Sequence, residues 1–344
     1  MDFGIKLPHS GPLANPDAIR EVSREAEHLA FHSVWVHDHI SYGRDWLGHR
    51  ASGLTEQITP DYEPDFYEAV TTLAHVAGVT TSIRLGTSIL VLPLRNPLVL
   101  GRQLLTLQAL SQNRLVLGVG TGDYPDEFHA LNVPYAERGK FTDDYLEVLA
   151  LILRGGKVEY RGSYCRVDEA WFYPRVTPPP VFIGGGVIAR PEPEQDRLAP
   201  VVLRRVARWG EGWMPDWGSP ALVREGIATI RRLAAQVGRA DRAYSVAFAT
   251  VLFLGDSDAE AEAITARTIQ AAEAKANVIA GFGTRSLRKY YAKSLIGSPE
   301  TVRDKVRRYA DAGVGLMIMN CLAPDLASFV GMLKRFRAEV APLD

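Results

Sequence analysis

Short apolar runs alternate with amphipathic stretches along the whole chain. The runs at 3–9, 33–38, 84–92, 114–120, 179–185, 211–215, 244–254 and 314–320 predict eight strands. Stretches of helical period predict helices at 15–31, 65–80, 96–111, 137–153, 201–210, 220–237, 257–277, 298–313 and 325–340. In the first of these, Ile19, Val22, Ala26 and Leu29 share one face, Asn15 is placed to cap, and Pro16 suits the first turn. Asn96 and Pro97 open the third helix in the same way, and Ser298 caps the helix at 298–313. The strands are apolar almost throughout rather than alternating, as in a parallel sheet covered on both faces. Eight strands with following helices predict an α/β architecture, a (β/α)8 TIM barrel. A doubly wound open sheet is the competing arrangement. No linker composition divides the chain, so 1–344 reads as one domain with insertion segments at 41–64, 157–178, 186–200 and 278–297. The second insertion carries a strand pair.

Composition narrows the class. A chain of 344 residues with 47% hydrophobic residues can bury a large core, and a barrel can use that length in one domain. The formal net charge of −1 gives no global field for nucleic acid or an anionic membrane. The opening "MDFGIKLPHSG" lacks a basic region followed by a long apolar core, and no apolar stretch reaches bilayer-spanning length. The two cysteines, Cys165 and Cys321, have neither disulfide-scaffold nor metal-site spacing. The expectation is a soluble cytoplasmic protein with a small-molecule substrate and no membrane or nucleic-acid partner.

Barrel enzymes carry their sites at the carboxyl ends of the strands, which directs the search for chemistry. Polar and glycine residues gather there: His9 and Ser10, then His37, Asp38 and His39, then Thr87 and Ser88. Later strands end in Thr121, Gly122 and Asp123, in Gly184 to Gly186, and in Asn320 and Cys321. His37 and His39 share a strand face and read as a metal pair, the seed of a metal-dependent barrel hydrolase. Such a site needs ligands from later strands. The histidines, at 9, 28, 32, 37, 39, 49, 75 and 129, do not reach past the fourth strand, so carboxylates would have to complete it. In the other reading Asp38 binds neighbouring amides, His37 packs, and Asp38 and His39 at the mouth are open to chemistry. "LVLGVGTGD" (115–123) is a poor dinucleotide fingerprint. Its glycines suit either a strand cleared for a flat ligand or close strand packing. "VFIGGG" (181–186) offers amides to a phosphate, or is a plain tight turn.

"SVWVHDH", "RLGTSILVLPLRNP", "LSQNRLVLGVGTGDYPDEFHALNVPYAERG" and "PPPVFIGGG…RRVARWGEGWMP" together resemble the luciferase-like monooxygenase superfamily over nearly the whole chain. The third- and fourth-strand wording is similar to the branch using the deazaflavin coenzyme F420; related branches use FMN. The resemblance implies a barrel, usually dimeric, that binds F420 or FMN at the carboxyl end of the strands for hydride transfer or monooxygenation. It implies that Asp38 contacts the cofactor and that His39 faces the substrate as acid/base. It implies a non-prolyl cis peptide between Ser88 and Ile89 supporting the ring, and Thr121, Gly122 and Asp123 beside it, with Asp123 near its N1 edge. Gly184, Gly185 and Gly186 match the phosphate region. His9, Trp46, Tyr124 and Trp213 are candidates for the substrate pocket. The sequence departs from the sugar-dehydrogenase pattern at Gly43, where that pattern has tryptophan, and in the long segment after Gly186. A non-catalytic flavin-binding relative is the remaining alternative.

Overall fold

The computed structural model describes residues 1–41, 65–190, 194–215, 217–276 and 291–342. Eight parallel strands close into a barrel: β1 (Asp2–Lys6), β2 (Ser33–Val36), β3 (Arg84–Val91), β4 (Leu115–Gly120), β7 (Val181–Gly184), β10 (Gly212–Met214), β11 (Ser245–Leu254) and β13 (Leu316–Cys321). β10 pairs with β11 to complete the ring. β12 (Leu295–Gly297) is a ninth strand, added to the outer end of β11.

Helices α1 (Pro16–His28), α2 (Ala69–Val79), α3 (Pro97–Leu110), α4 (Pro125–Ala130), α5 (Arg138–Arg154), α6 (Pro200–Trp209), α7 (Pro220–Gln236), α8 (Asp258–Ala276), α9 (Pro299–Asp311) and α10 (Leu326–Glu339) accompany the strands. The predicted caps form: Asn15 accepts from the Ala18 N–H, Asn96 from the Leu98 and Val99 N–H groups, and Ser298 from the Thr301 N–H.

The barrel interior is packed by fitting large side chains against glycines. Trp35 on β2 is fully buried. A Cβ on Gly86 of β3 would lie 2.2 Å from its ring, and one on Gly4 of β1 would lie 2.4 Å from its indole nitrogen. Phe182 on β7 stands in the same relation to Gly212 of β10, at 2.2 Å. Val116, Met214, Ala247, Ala249, Leu316 and Ile318 fill the rest of this inner cluster. A larger cluster lies between the barrel and the helices.

Two insertions take definite shape. β5 (Gly156–Arg161) and β6 (Arg166–Phe172) form the expected antiparallel pair. The segment after Gly186 folds as a short hairpin of β8 (Val187–Ile188) and β9 (Arg197–Leu198). Asp196 anchors it through an ion pair with Lys293 and by accepting the Trp217 indole N–H at 2.9 Å. The 41–64 insertion beyond Ser41 lies outside the described residues, as do 277–290.

Gly118 shows how little slack the barrel wall holds. A Cβ there would sit 2.0 Å from the Thr87 carbonyl oxygen, a backbone atom that cannot rotate away. Gly118→Ala is expected to destabilise the fold by about 1–3 kcal/mol, measured by chemical denaturation. An unchanged midpoint would contradict this account of the wall.

Candidate functional site

The carboxyl ends of β1 to β4 meet around an irregularity in β3. Its pairing with β4 shifts register between Thr87 and Leu90, and the Ser88–Ile89 peptide is cis. Thr87 repairs the interrupted ladder. Its hydroxyl donates to the Gly118 carbonyl at 2.8 Å and accepts the Gly118 N–H at 3.0 Å. The displaced Ile89 reaches over β4 and β7: a Cβ on either Gly120 or Gly184 would lie 2.6 Å from its side chain. These two glycines therefore make room for Ile89, and Gly118 makes room for the Thr87 carbonyl. Close packing, rather than a strand cleared for a flat ligand, explains all three. Ile89 itself is half-buried at the inner end of the mouth. Among the described residues, Ser88 Oγ is the buried side-chain polar atom that has no hydrogen-bond partner.

Asp38 is 2% exposed and sits behind this bulge. One carboxylate oxygen accepts the Val91 N–H and Arg95 Nε, both at 3.0 Å; the other accepts Arg95 Nη2 at 2.5 Å. Arg95 also pairs with Glu68 at 2.8 Å, and Glu68 caps α2 by accepting the Val70 and Thr71 N–H groups. One chain of charges thus ties the end of β2, the turn after β3 and the start of α2. Asp38, expected to contact the cofactor, is thus held by three protein hydrogen bonds behind the bulge.

His9, expected in a substrate pocket, is instead fully buried. With its Nδ1–H donating to the Leu7 carbonyl at 3.1 Å, Nε2 accepts the His37 N–H at 3.1 Å. It fastens the end of β1 to the end of β2. Its ring stacks edge-on against His37, centroids 4.3 Å apart. Trp213 is also a correction. Along β10, Met214 points into the barrel, so Trp213 points outward, fully buried against α7, with its indole N–H donating to the Gly185 carbonyl at 2.7 Å. Trp46 lies outside the described residues.

His39 stands at the mouth, its side chain 16% exposed. The Phe66 and Tyr124 rings approach it edge-on, with centroids at 5.8 and 4.8 Å. Its Nδ1 lies 3.1 Å from Glu127 Oε2. The other oxygen of Glu127 accepts the Ile40 N–H at 2.6 Å and the Ser41 N–H at 3.3 Å. Glu127 was not among the sequence candidates. It lies on α4, a one-and-a-half-turn helix too short for a periodicity signal; the available cue was Pro125, a first-turn residue just after the fourth strand. Asp123, by contrast, has an exposed side chain, and its carbonyl accepts the Tyr135 hydroxyl at 3.2 Å. Thr121 and Gly122 are half-buried beside it. Gly122 has φ +74°, and a Cβ there would collide with Val91 at 2.5 Å.

His37 and His39 do not present a shared metal face. His37 Nε2 lies 3.3 Å from Ser10 Oγ, His39 Nδ1 meets Glu127, and the two rings are 72° apart. Among the described residues no group of three His, Cys, Asp or Glu is arranged to hold a metal ion.

Gly184 to Gly186 turn out of β7 with φ +82° at Gly185 and +96° at Gly186. The Gly186 carbonyl accepts the Ala199 N–H at 2.8 Å, so the turn leads directly into the hairpin rather than into α6.

The luciferase-like monooxygenase family model matches residues 1–315. The chain belongs to this family. It is thereby an oxidoreductase. The F420-dependent glucose-6-phosphate dehydrogenase of Kineococcus radiotolerans is 28% identical over 95% of this chain and 93% of its own. The fold matches monooxygenase RslO1 from Streptomyces bottropensis with a TM-score of 0.76 at 22% identity, covering 99% of both chains. It matches the coenzyme F420 dependent tetrahydromethanopterin reductase from Methanopyrus kandleri with a TM-score of 0.73 at 22% identity, covering 99% of this chain and 98% of that one. At such identity the two structures speak for the fold alone. Among the described residues no helix is long and apolar enough to cross a membrane.

The histidines beneath the mouth set a pH limit. Burial, reinforced by the neighbouring His37, lowers the pKa of His9 from 6.5 to about 3. Burial, then the charges of Lys6 and His39, lowers that of His37 well below 6.5. Both are neutral when folded, and both charge in the unfolded chain as pH drops below 6.5. Stability is therefore fully present above pH 6.5 and falls as pH moves down towards about 3 for His9, by up to about 1.4 kcal/mol per pH unit per histidine. Denaturation midpoints across this window check it, with His9→Gln reducing the slope. A flat profile between pH 6.5 and about 5 would contradict it.

Proposed function

We propose that this chain catalyses hydride transfer on a small organic substrate with reduced coenzyme F420 held at the carboxyl face of the barrel. Monooxygenation with FMN is the second reading, favoured by the family to which the chain belongs. The observation that carries the proposal is Ser88 Oγ, buried without a partner among the described residues, beside the cis Ser88–Ile89 peptide at the barrel mouth. A native interior leaves few polar atoms in that condition, and a ligand atom is a natural partner. The residues fit a flat, polar-edged ring. Ser88 offers a hydroxyl, Ile89 offers apolar surface, and the Asp38–Arg95 pair holds the strand just beyond them at the Val91 N–H. F420 is preferred over FMN on the wording of the third and fourth strands and on the Kineococcus relative.

In this reading Ser88, Ile89, Thr121 and Gly122 hold the ring and Gly184 to Gly186 line its phosphate end. When bound, the cofactor supplies the hydride or, as FMN, the means of activating oxygen. The chain supplies the rest. His39 takes or gives the substrate's proton, as an imidazole can near neutral pH. Phe66 and Tyr124 hold its ring edge-on and keep water from it. Asp123, exposed at the fourth-strand end, is the second polar group facing the mouth. A cytoplasmic homodimer belongs to the same proposal, by resemblance.

Side-by-side titration with F420 and FMN, each oxidised and reduced, is expected to give binding at micromolar levels with preference for F420. If neither binds, the proposal fails; binding with no turnover on any donor or acceptor indicates a non-catalytic relative. His39→Ala is expected to lower turnover by about 100-fold or more with cofactor affinity nearly unchanged. Retained turnover would remove His39 from the role.

Ser88→Ala separates binding from folding. Removing a hydroxyl that has no partner among the described residues should leave thermal stability equal or slightly raised, and should weaken cofactor binding by about three- to tenfold. A lower melting temperature with unchanged affinity would assign Ser88 to the fold instead.

A further inference from the structure

We propose that Glu127 is the positioning residue that selects the tautomer of His39, keeping the proton on Nδ1 and leaving Nε2 as the basic nitrogen. The inference rests on the reading of His39 as the proton-transfer group, and it reaches a residue that reading did not require. A carboxylate can only accept hydrogen bonds, so the hydrogen shared at 3.1 Å belongs to His39 Nδ1. Glu127 is held to its task. Its side chain is 2% exposed, and Oε1 is occupied by the Ile40 and Ser41 N–H groups at 2.6 and 3.3 Å. Those two amides belong to the residues that follow His39. One carboxylate therefore grips both the imidazole and the backbone that carries it, and it fixes ring orientation as well as tautomer.

The proton balance is simple. In the oxidative direction, the reverse of the proposed reduction, a proton leaving a substrate hydroxyl goes to Nε2 as the hydride leaves the same substrate for an oxidised acceptor, and the ring becomes imidazolium while Nδ1–H stays hydrogen-bonded to Glu127. No proton passes to Glu127, whose negative charge stabilises the imidazolium at contact distance. In the reductive direction Nε2–H returns the proton to the substrate oxygen. The bond to Glu127 is kept throughout.

The same geometry foretells what an isosteric change does. In Glu127→Gln the Ile40 and Ser41 N–H groups require an acceptor, so the amide oxygen stays with them. The amide NH2 must then face His39. Nδ1 becomes an acceptor, the proton moves to Nε2, and the basic nitrogen turns away from the substrate side. The substitution keeps the loop's own hydrogen bonds and tests the tautomer rather than the fold.

Nitrogen-15 NMR of the full chain labelled at histidine, without cofactor, reads the tautomer directly. The wild-type protein above the titration of His39 is expected to show Nδ1 protonated, and Glu127→Gln to show Nε2 protonated. The apparent pKa of His39 should also fall by about one unit or more in the variant, since the neighbouring charge is lost. Turnover with the preferred cofactor should fall by about 100-fold or more while KM changes little. A wild-type spectrum with Nε2 protonated overturns the inference, as does a variant that keeps the Nδ1–H form. If the tautomer inverts but turnover is unchanged, Glu127 does not position a proton-transfer group and the inference fails there. A failure of the wider functional reading looks different: His39→Ala retains turnover while the NMR result on Glu127 still holds.

Discussion

The closed barrel has a fixed interior, and every large side chain placed in it must be matched by an absence on a neighbouring strand. Trp35 occupies the space that side chains on Gly4 and Gly86 would need, and Phe182 the space beside Gly212. The same exchange continues to the mouth, where Ile89 occupies the space over Gly120 and Gly184. Interiors at crystal-like density do not admit even a methyl group where none is provided for. The bulge in β3 is thus part of the packing scheme. It brings Ile89 across two neighbouring strands and sets the Ser88 hydroxyl where no group among the described residues answers it.

Holding that bulge requires polar work behind it. Thr87 substitutes its hydroxyl for the lost ladder bond, and Asp38 grips the Val91 N–H on the far side. Burying Asp38 alone would be costly, and Arg95 offsets the charge with two hydrogen bonds while reaching on to Glu68. The apolar and ionic parts of the site are therefore interdependent. The glycines make room for Ile89, and the Asp38–Arg95–Glu68 chain keeps the backbone that presents it.

Much of this was legible in the sequence. Eight apolar runs with helices between them carry the barrel, and the Asn-Pro starts of α1 and α3 are capped as their residues require. The strand-end rule pointed to His39, Ser88, Thr121 and Gly122, and the resemblance to Ile89. What escaped it has physical causes. A strand apolar on both faces does not say which face looks inward, so Trp213 could not be told from a mouth residue while Met214 beside it faces the barrel. His9 looks polar and available at a strand end, but its two ring nitrogens serve the backbone of β1 and β2. Glu127 stands 88 residues beyond His39 on a helix of six residues, and no local pattern announces a pairing across that distance. Asp123, four residues earlier at the strand end, was within reach of that rule.

The two buried carboxylates at the mouth differ in their partners, and that difference divides the labour between them. Asp38 is matched to a guanidinium, which stays charged at any pH the fold survives. Nothing in that pair can exchange a proton, so it serves as fixed architecture. Glu127 is matched to an imidazole, a ring that can carry a proton on either nitrogen. His9 and His37 are held neutral by burial. His39, at the end of β2, is paired with the buried carboxylate of Glu127, and its side chain is 16% exposed at the mouth. The three rings thus differ in their surroundings: burial holds His9 and His37 neutral, and His39 meets a counter-charge.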